Sequence, residues 1–181
     1  MKKHLTEEEF NEVQARISSG EASITIPRGV ARQFFTHISN SSIKTTTLSS
    51  ALWQKSLTWT GVVGAPILLV ACCLLIINSS GWWAAVIVPL IGIFWTVLAG
   101  LTNENGGWLS ITIALVASIA CFFFLSQVYS FPLFLFVFSL WVHRMTYILA
   151  QRLLITLVNN FYPAYDMLND HIELDDPATS E

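Results

Sequence analysis

Residues 56–103 read SLTWTGVVGAPILLVACCLLIINSSGWWAAVIVPLIGIFWTVLAGLTN, 48 positions between Lys55 and Glu104 without one Asp, Glu, Lys or Arg. A second charge-free run of 39 residues separates Glu104 from Arg144. About 20 apolar residues cross a bilayer as a helix, so each run is too long for one helix and suits two joined by a turn. The first breaks at Asn78-Ser79-Ser80-Gly81, where the residues favour a turn. The second breaks near Gln127-Val128-Tyr129-Ser130, ahead of Pro132, which a first helical turn tolerates. Between the runs, Thr102-Asn103-Glu104-Asn105-Gly106-Gly107 reads as a polar loop. The expected fold is an all-α integral membrane protein with four transmembrane helices in two hairpins, over about 57–77, 82–101, 107–126 and 131–150.

Composition points the same way. Hydrophobic residues make up 54% of the 181 and charged residues 12%, where a soluble domain carries about 25% charged residues. A soluble globular enzyme, a disordered tail protein and a disulfide-stapled secreted domain are excluded. Outer-membrane strands would alternate apolar and polar side chains, and Pro66-Ile67-Leu68-Leu69-Val70-Ala71 does not. No secretory signal is expected, because the first 50 residues are polar and the first apolar run is too long for a cleaved segment. Seven of the nine Lys and Arg residues precede the first span, and the other two, Arg144 and Arg152, sit at or after the end of the fourth. The loops at 78–81 and 127–130 carry no charge. By the positive-inside rule both termini are expected in the cytoplasm, with the chain in the inner (cell) membrane and the lipid bilayer as its first partner.

The chain is thereby divided into three segments: a helical cap and linker over 1–50, the bundle over 51–150, and an amphipathic extension with an acidic tail over 151–181. Thr6-Glu7-Glu8-Glu9 has the spacing of a capping box. Phe10, Val13 and Ile17 continue at helical spacing, and Gly20 fits a helix stop. Ile24-Thr25-Ile26 reads as extended ahead of Pro27. A second cap helix is expected from Arg28 to about Ser39, with Ala31, Phe34, Phe35 and Ile38 as its apolar stripe. Fifty residues bury little surface alone, so the cap is expected to dock on the membrane, its own bundle or a neighbour. The Ser/Thr-rich stretch 40–50 reads as a linker. The fourth helix is expected to run past the membrane to Tyr162-Pro163.

Inside the spans, small residues mark close helix contact. Gly92, Thr96 and Gly100 form one such row, and Ala114 with Ser118 belongs to another; internal packing is favoured over self-association. Gly61, Gly64 and Pro66 predict a kink in the first span, and Pro89 an interruption of the second. Trp53, Trp59, Trp82, Trp83, Trp108 and Tyr129 fall where an aromatic belt belongs. Cys72, Cys73 and Cys121 read as packing residues without metal-ligand spacing. No cofactor or metal site is expected.

Five residues are candidates for ligand or headgroup binding. His143, Arg144 and Arg152 share the fourth helix, where a snorkelling anchor is favoured over a lining of an ion path. Arg28 and Arg32, four apart, would suit a phosphate group, although attraction to the anionic inner leaflet is the favoured reading. Nucleic acid is not the expected partner. The spans lack the carboxylate that coupled transport normally uses, and no hydrolase motif occurs. The expected function is non-enzymatic: an inner-membrane subunit that oligomerises or docks a protein partner through its cytoplasmic ends. The alternatives are a homo-oligomeric pore or membrane-perturbing effector gated from the cap, with Thr96, Ser110, Thr112 and Ser118 facing a lumen, and a small enzyme acting on lipid through His143 and Arg144.

Overall fold

The computed structural model describes residues 6–37, 49–101 and 108–175. Outside them lie Lys2, Lys3, Ile38, Lys44, most of the 40–50 linker, the 102–107 loop with Glu104, and the tail residues Asp176 and Glu181. The described residues are all-α, about 90% of them helical, with one short antiparallel ladder among them. It divides into two compact units, one from Met1–Ser56 with Ile148–Glu181 and one from Leu57–Tyr147.

The terminal unit is made from both ends of the chain. Helix α1 (Glu7–Ser18) starts on the Thr6 capping box, with the Thr6 amide donating to Glu9 Oε2 at 2.7 Å and the Glu9 amide donating to Thr6 Oγ1 at 3.3 Å. It stops at Gly20, whose φ of 80° is a left-handed conformation that only glycine adopts without strain. Strand β1 (Ser23–Thr25) pairs antiparallel with β2 (Glu173–Asp175), in the register Ser23 to Asp175, Ile24 to Leu174 and Thr25 to Glu173. Helix α2 (Arg28–Phe34) continues as a 3₁₀ turn over Phe35–His37. At the other end, Phe161 turns extended after the long helix, and α7 (Tyr162–Leu168) begins with Pro163 in its first turn, where a missing N–H is harmless.

These pieces close over one core. Phe10, Ile24, Ile26, Ala31 and Phe35 from the N-terminal segment are buried. So are Leu153, Leu154, Leu157 and Val158 from the long helix, and Tyr165, Leu168 and Ile172 beyond it. The Phe10 ring lies 5.7 Å from Tyr162 and 5.3 Å from Tyr165, both tilted. Phe34 meets His171 at 5.3 Å. The cap therefore folds against the C-terminal segment of its own chain, which supplies the apolar surface that fifty residues lack.

The second unit holds the apolar helices: α3 (Ser49–Ser80), α4 (Ala84–Leu101), α5 (Trp108–Phe124) and α6 (Gln127–Asn160). The first residues of α3 and the last of α6 belong to the terminal unit. Two helical stretches, Leu52–Gly100 and Gln127–Asn160, are long and apolar enough to cross a membrane, and Ser110–Phe124 is a shorter apolar helix. Within the first stretch, α3 and α4 are separated by the 3₁₀ turn Gly81–Trp83, where Gly81 has a φ of 54°.

Four details differ from the sequence reading. Helix α3 starts at Ser49, ahead of the apolar run, since Leu52, Trp53 and Gln54 are as compatible with a helix as the apolar residues after them. The second break falls at Leu125-Ser126, and α6 begins at Gln127 with Pro132 inside it. Neither Pro66 nor Pro89 ends its helix, because one proline removes a single backbone hydrogen bond that the surrounding turns outlast. Gly61 permits a close approach that the sequence reading did not foresee: a Cβ there would collide with the Thr146 hydroxyl, whereas one on Gly64 meets nothing within 4 Å.

Helix α6 is the hub of this unit. Toward α3, Ser139 Oγ donates to the Ala65 carbonyl at 2.7 Å, and the Cys72 thiol donates to the Pro132 carbonyl at 3.2 Å. Toward α5, Phe122 meets Phe131 at 5.5 Å and Phe134 at 5.9 Å, both edge-on. Outward, the unit is apolar: Val63, Ile67, Val70 and Leu74 make an exposed row on α3, and Val86, Leu90, Ile93 and Val97 one on α4.

Candidate functional site

Several buried polar side chains of the apolar unit lie around His143. Its ring is buried, 9% exposed, and stands edge-on to Trp95 at 5.0 Å and to Tyr147 at 5.2 Å. Positions 139, 143, 146 and 147 of α6 recur every three to four residues and so share one side of the helix. Helix α4 brings Trp95 to that side, and the indole Nε1 donates to Ser139 Oγ at 3.0 Å. Ser139 thus accepts from α4 while donating to the Ala65 carbonyl of α3, and one hydroxyl ties three helices. Thr146, also buried, donates to the Val142 carbonyl of its own helix at 2.8 Å. A buried N–H with a partner holds its position, since an unsatisfied polar group in an apolar medium costs several kcal/mol.

Arg144 is 5% exposed. Its side chain is covered by protein, which departs from the expectation of an anchor reaching the headgroups. Packed helices shield a charge from lipid better than snorkelling does where both are available. Arg152, the third member of the expected trio, is exposed and belongs to the other unit.

Arg28 and Arg32 also lie in the terminal unit, both half-buried on α2. Arg28 Nε donates to Gln151 Oε1 at 3.3 Å, and Gln151 Nε2 donates to the Ile26 carbonyl at 2.7 Å. Gln14 Nε2 donates to the Asn159 carbonyl at 3.1 Å. These bonds fasten the cap to the end of α6, so Arg28 has a structural duty beside any phosphate it meets. In the same unit, burial pushes the Tyr165 phenol above its ordinary pKa.

The small-residue rows divide. Ser118 is buried and donates to the Leu115 carbonyl at 2.7 Å, with Ala114 half-buried one turn earlier. Gly92, Thr96 and Gly100 do not pack inside the chain among the described residues. Thr96 and Gly100 are exposed, and a Cβ on Gly92 or Gly100 would meet nothing within 4 Å. Thr96 Oγ1 folds back onto the Gly92 carbonyl at 2.8 Å. Ser110, Thr112 and Ser118 range from exposed to buried on α5 and do not converge on one lining.

An apolar groove of about 410 Å³ lies at the other end of the same unit, walled by Cys72 and Ile76 of α3, Pro132 and Phe136 of α6, and one face of α4. Sequence reasoning missed Ser139, Trp95, Gln151 and this groove. Each depends on which helices meet, and a lone Ser, Trp or Gln carries no local signal of that.

No protein-family model, curated protein or solved structure matches the chain.

Proposed function

We propose that the chain is a non-enzymatic inner-membrane protein with four spans and both termini in the cytoplasm, and that its two ends form a single docking domain. The observation that carries this is the terminal unit, in which β1 and β2 join opposite ends of the sequence over a shared core. Two hairpins return both ends to one side of a bilayer, the condition for that domain to form. The helical lengths support four crossings. Residues 57–80, α4, α5 and residues 127–147 extend roughly 25–36 Å at 1.5 Å per residue, against a hydrocarbon core of about 30 Å. The exposed rows on α3 and α4 support a lipid surround, because contiguous apolar faces of this extent are a liability in water. Uncharged turns at one end and the basic residues at the other support the orientation.

The terminal unit is the part of the chain able to offer polar recognition, so the partner is a protein met at the cytoplasmic face. The direct test is the mass of the full-length protein released from membranes in mild detergent. A defined assembly above one chain, lost in Ala31→Arg while reporter fusions at both termini still read cytoplasmic, is expected. A single chain in both cases refutes the docking role, and an external terminus refutes the topology.

A second reading, self-association through α4, is favoured by the outward position of Gly92, Thr96 and Gly100. Small residues let helix backbones approach closely in lipid, and here that surface is left uncovered by the described residues of the chain. A pore built from copies of the chain would use the same contact.

A further inference from the structure

From the surroundings of His143 we infer an acid-released latch: with His143 neutral, Trp95 holds α4 against α6, and protonation of His143 lets it go. The latch lies within one unit and needs no particular number of spans.

Trp95 is the point of contact. Its ring stands 5.0 Å from the His143 ring, and its indole N–H donates to Ser139 Oγ at 3.0 Å. Both partners sit on α6, one turn apart, and both are buried. Tyr147, one turn further on, meets the imidazole at 5.2 Å. Tyr147 shares a helix with His143 and moves with it, whereas Trp95 is the wall that another helix supplies. Exposure of the imidazole therefore means departure of Trp95.

The charges on the neighbouring helices decide what a proton does there. Helix α4 has no titratable side chain. Helix α3 beyond Ser56 has Cys72 and Cys73, with the Cys72 thiol donating to the Pro132 carbonyl, and α5 has Cys121. On α6 up to Tyr147 the other titratable groups are Tyr129, Arg144 and Tyr147. No Asp or Glu stands in 57–101 or 108–147, and Glu104 lies outside the described residues. The one permanent charge of these segments, Arg144, follows His143 directly and is itself buried. A protonated His143 is thus a second cation buried beside the first. Attraction to the Trp95 and Tyr147 rings recovers only part of what taking an ion out of water costs. Water recovers the rest once Trp95 has moved aside. Histidine is the side chain whose charge ordinarily changes between about pH 5 and 8, so the latch answers to mild acid.

The test uses the full-length protein labelled with 5-fluorotryptophan in mixed micelles, with the Trp95 fluorine signal assigned by its loss in Trp95→Phe. As pH falls from about 8 to 5, a second Trp95 state is expected to grow, its ratio to the first rising by up to about tenfold per pH unit, as release coupled to one proton gives. The acid state should also show the larger fluorine shift between H2O and D2O, which reports water at the indole. His143→Gln should hold the first state throughout, and His171→Gln, which changes an exposed histidine of the terminal unit, should leave the transition in place. Where His143→Gln does not fold, His143→Phe keeps an aromatic ring without a proton to gain and should also hold the first state. A Trp95 signal that does not respond to pH in the wild type, a response that survives replacement of His143, or an acid state no more open to water than the neutral one overturns the latch.

Discussion

The Gly61–Thr146 contact gives the sharpest test of how the apolar helices pack. In Gly61→Ala the new Cβ meets Thr146 Oγ1 head-on. Thr146 must rotate, giving up its 2.8 Å bond to the Val142 carbonyl, or α3 and α6 must part. Overpacking of this kind costs about 1–3 kcal/mol, and a side-chain hydrogen bond within a bilayer adds roughly 0.6 kcal/mol. Against these stands the gain of about 0.5–1 kcal/mol from replacing glycine in a helix. The expected net loss is about 1–2 kcal/mol, a factor of roughly 5–30 in the folded-to-unfolded ratio. Gly64→Ala, one turn away with nothing within 4 Å, has only the helix term and should be neutral or mildly stabilising. The pair Gly61→Ala/Thr146→Ala should recover most of the loss, since the nearest remaining atom, Thr146 Cβ, lies 3.4 Å from the added carbon. Gly61→Ala/Thr146→Val should not, because Val restores the bulk without the hydroxyl. Reversible denaturation in mixed micelles, followed by Trp fluorescence, measures all four. A Gly61→Ala protein within about 0.5 kcal/mol of wild type, or a Val double variant as stable as the Ala one, would refute the contact.

Four further outcomes are expected. Ser139→Ala strands the Trp95 indole N–H and should cost about 1–2 kcal/mol, whereas Trp95→Phe/Ser139→Ala removes both partners and should recover part of it in the same assay. Truncation before Glu173 deletes β2 and should open β1 and α1 to limited proteolysis while the apolar helices stay protected. Gly92→Ile/Gly100→Ile should leave monomer stability unchanged and, where copies associate through α4, lower the mass seen in detergent; an unchanged assembly would assign that contact elsewhere. Tyr165 carries a pH dependence: its folded-state pKa is raised by burial, so the folded chain keeps the phenolic proton to higher pH than the unfolded chain. The contribution is complete below about pH 10 and lost as pH climbs through that range. Tyr165→Phe should flatten the alkaline limb of a stability–pH curve, and an identical slope in the variant would contradict the burial.

The apolar helices were legible because each is an uninterrupted hydrophobic run, and the Thr6–Glu9 cap and the Gly20 stop because each is a local device with its own spacing. The terminal unit was not. Ile24 and Leu174 are paired across almost the whole chain, and the tail around Asp170 and Glu173 reads as a solvated acidic run with no periodicity. Its order comes from the Phe10, Tyr165 and Ile172 core, which exists only once both ends meet. The same limit hid Gln151, which reads as one more polar residue on the rim of a helix and in fact braces Arg28 and the Ile26 carbonyl.

That limit bears on the candidate ionisable residues. Helical spacing put His143, Arg144 and Arg152 on one element and invited a common role, yet their surroundings separate them. His143 is buried against the Trp95 and Tyr147 rings, Arg144 is buried in the same apolar unit, and Arg152 is exposed in the terminal one. A side chain covered by packed helices is set by those helices, so changes at Trp95 or Tyr147 should alter the surroundings of His143. An exposed arginine outside the apolar unit is free to respond to anionic headgroups, at about 1 kcal/mol and within a Debye length. Salt titration of vesicle association therefore separates the two: Arg152→Ala should weaken the low-salt interaction of the terminal unit with anionic vesicles, while Arg144→Ala should leave it unchanged and lower stability. Equal salt responses in the two variants would place both side chains at the headgroups and contradict the burial of Arg144.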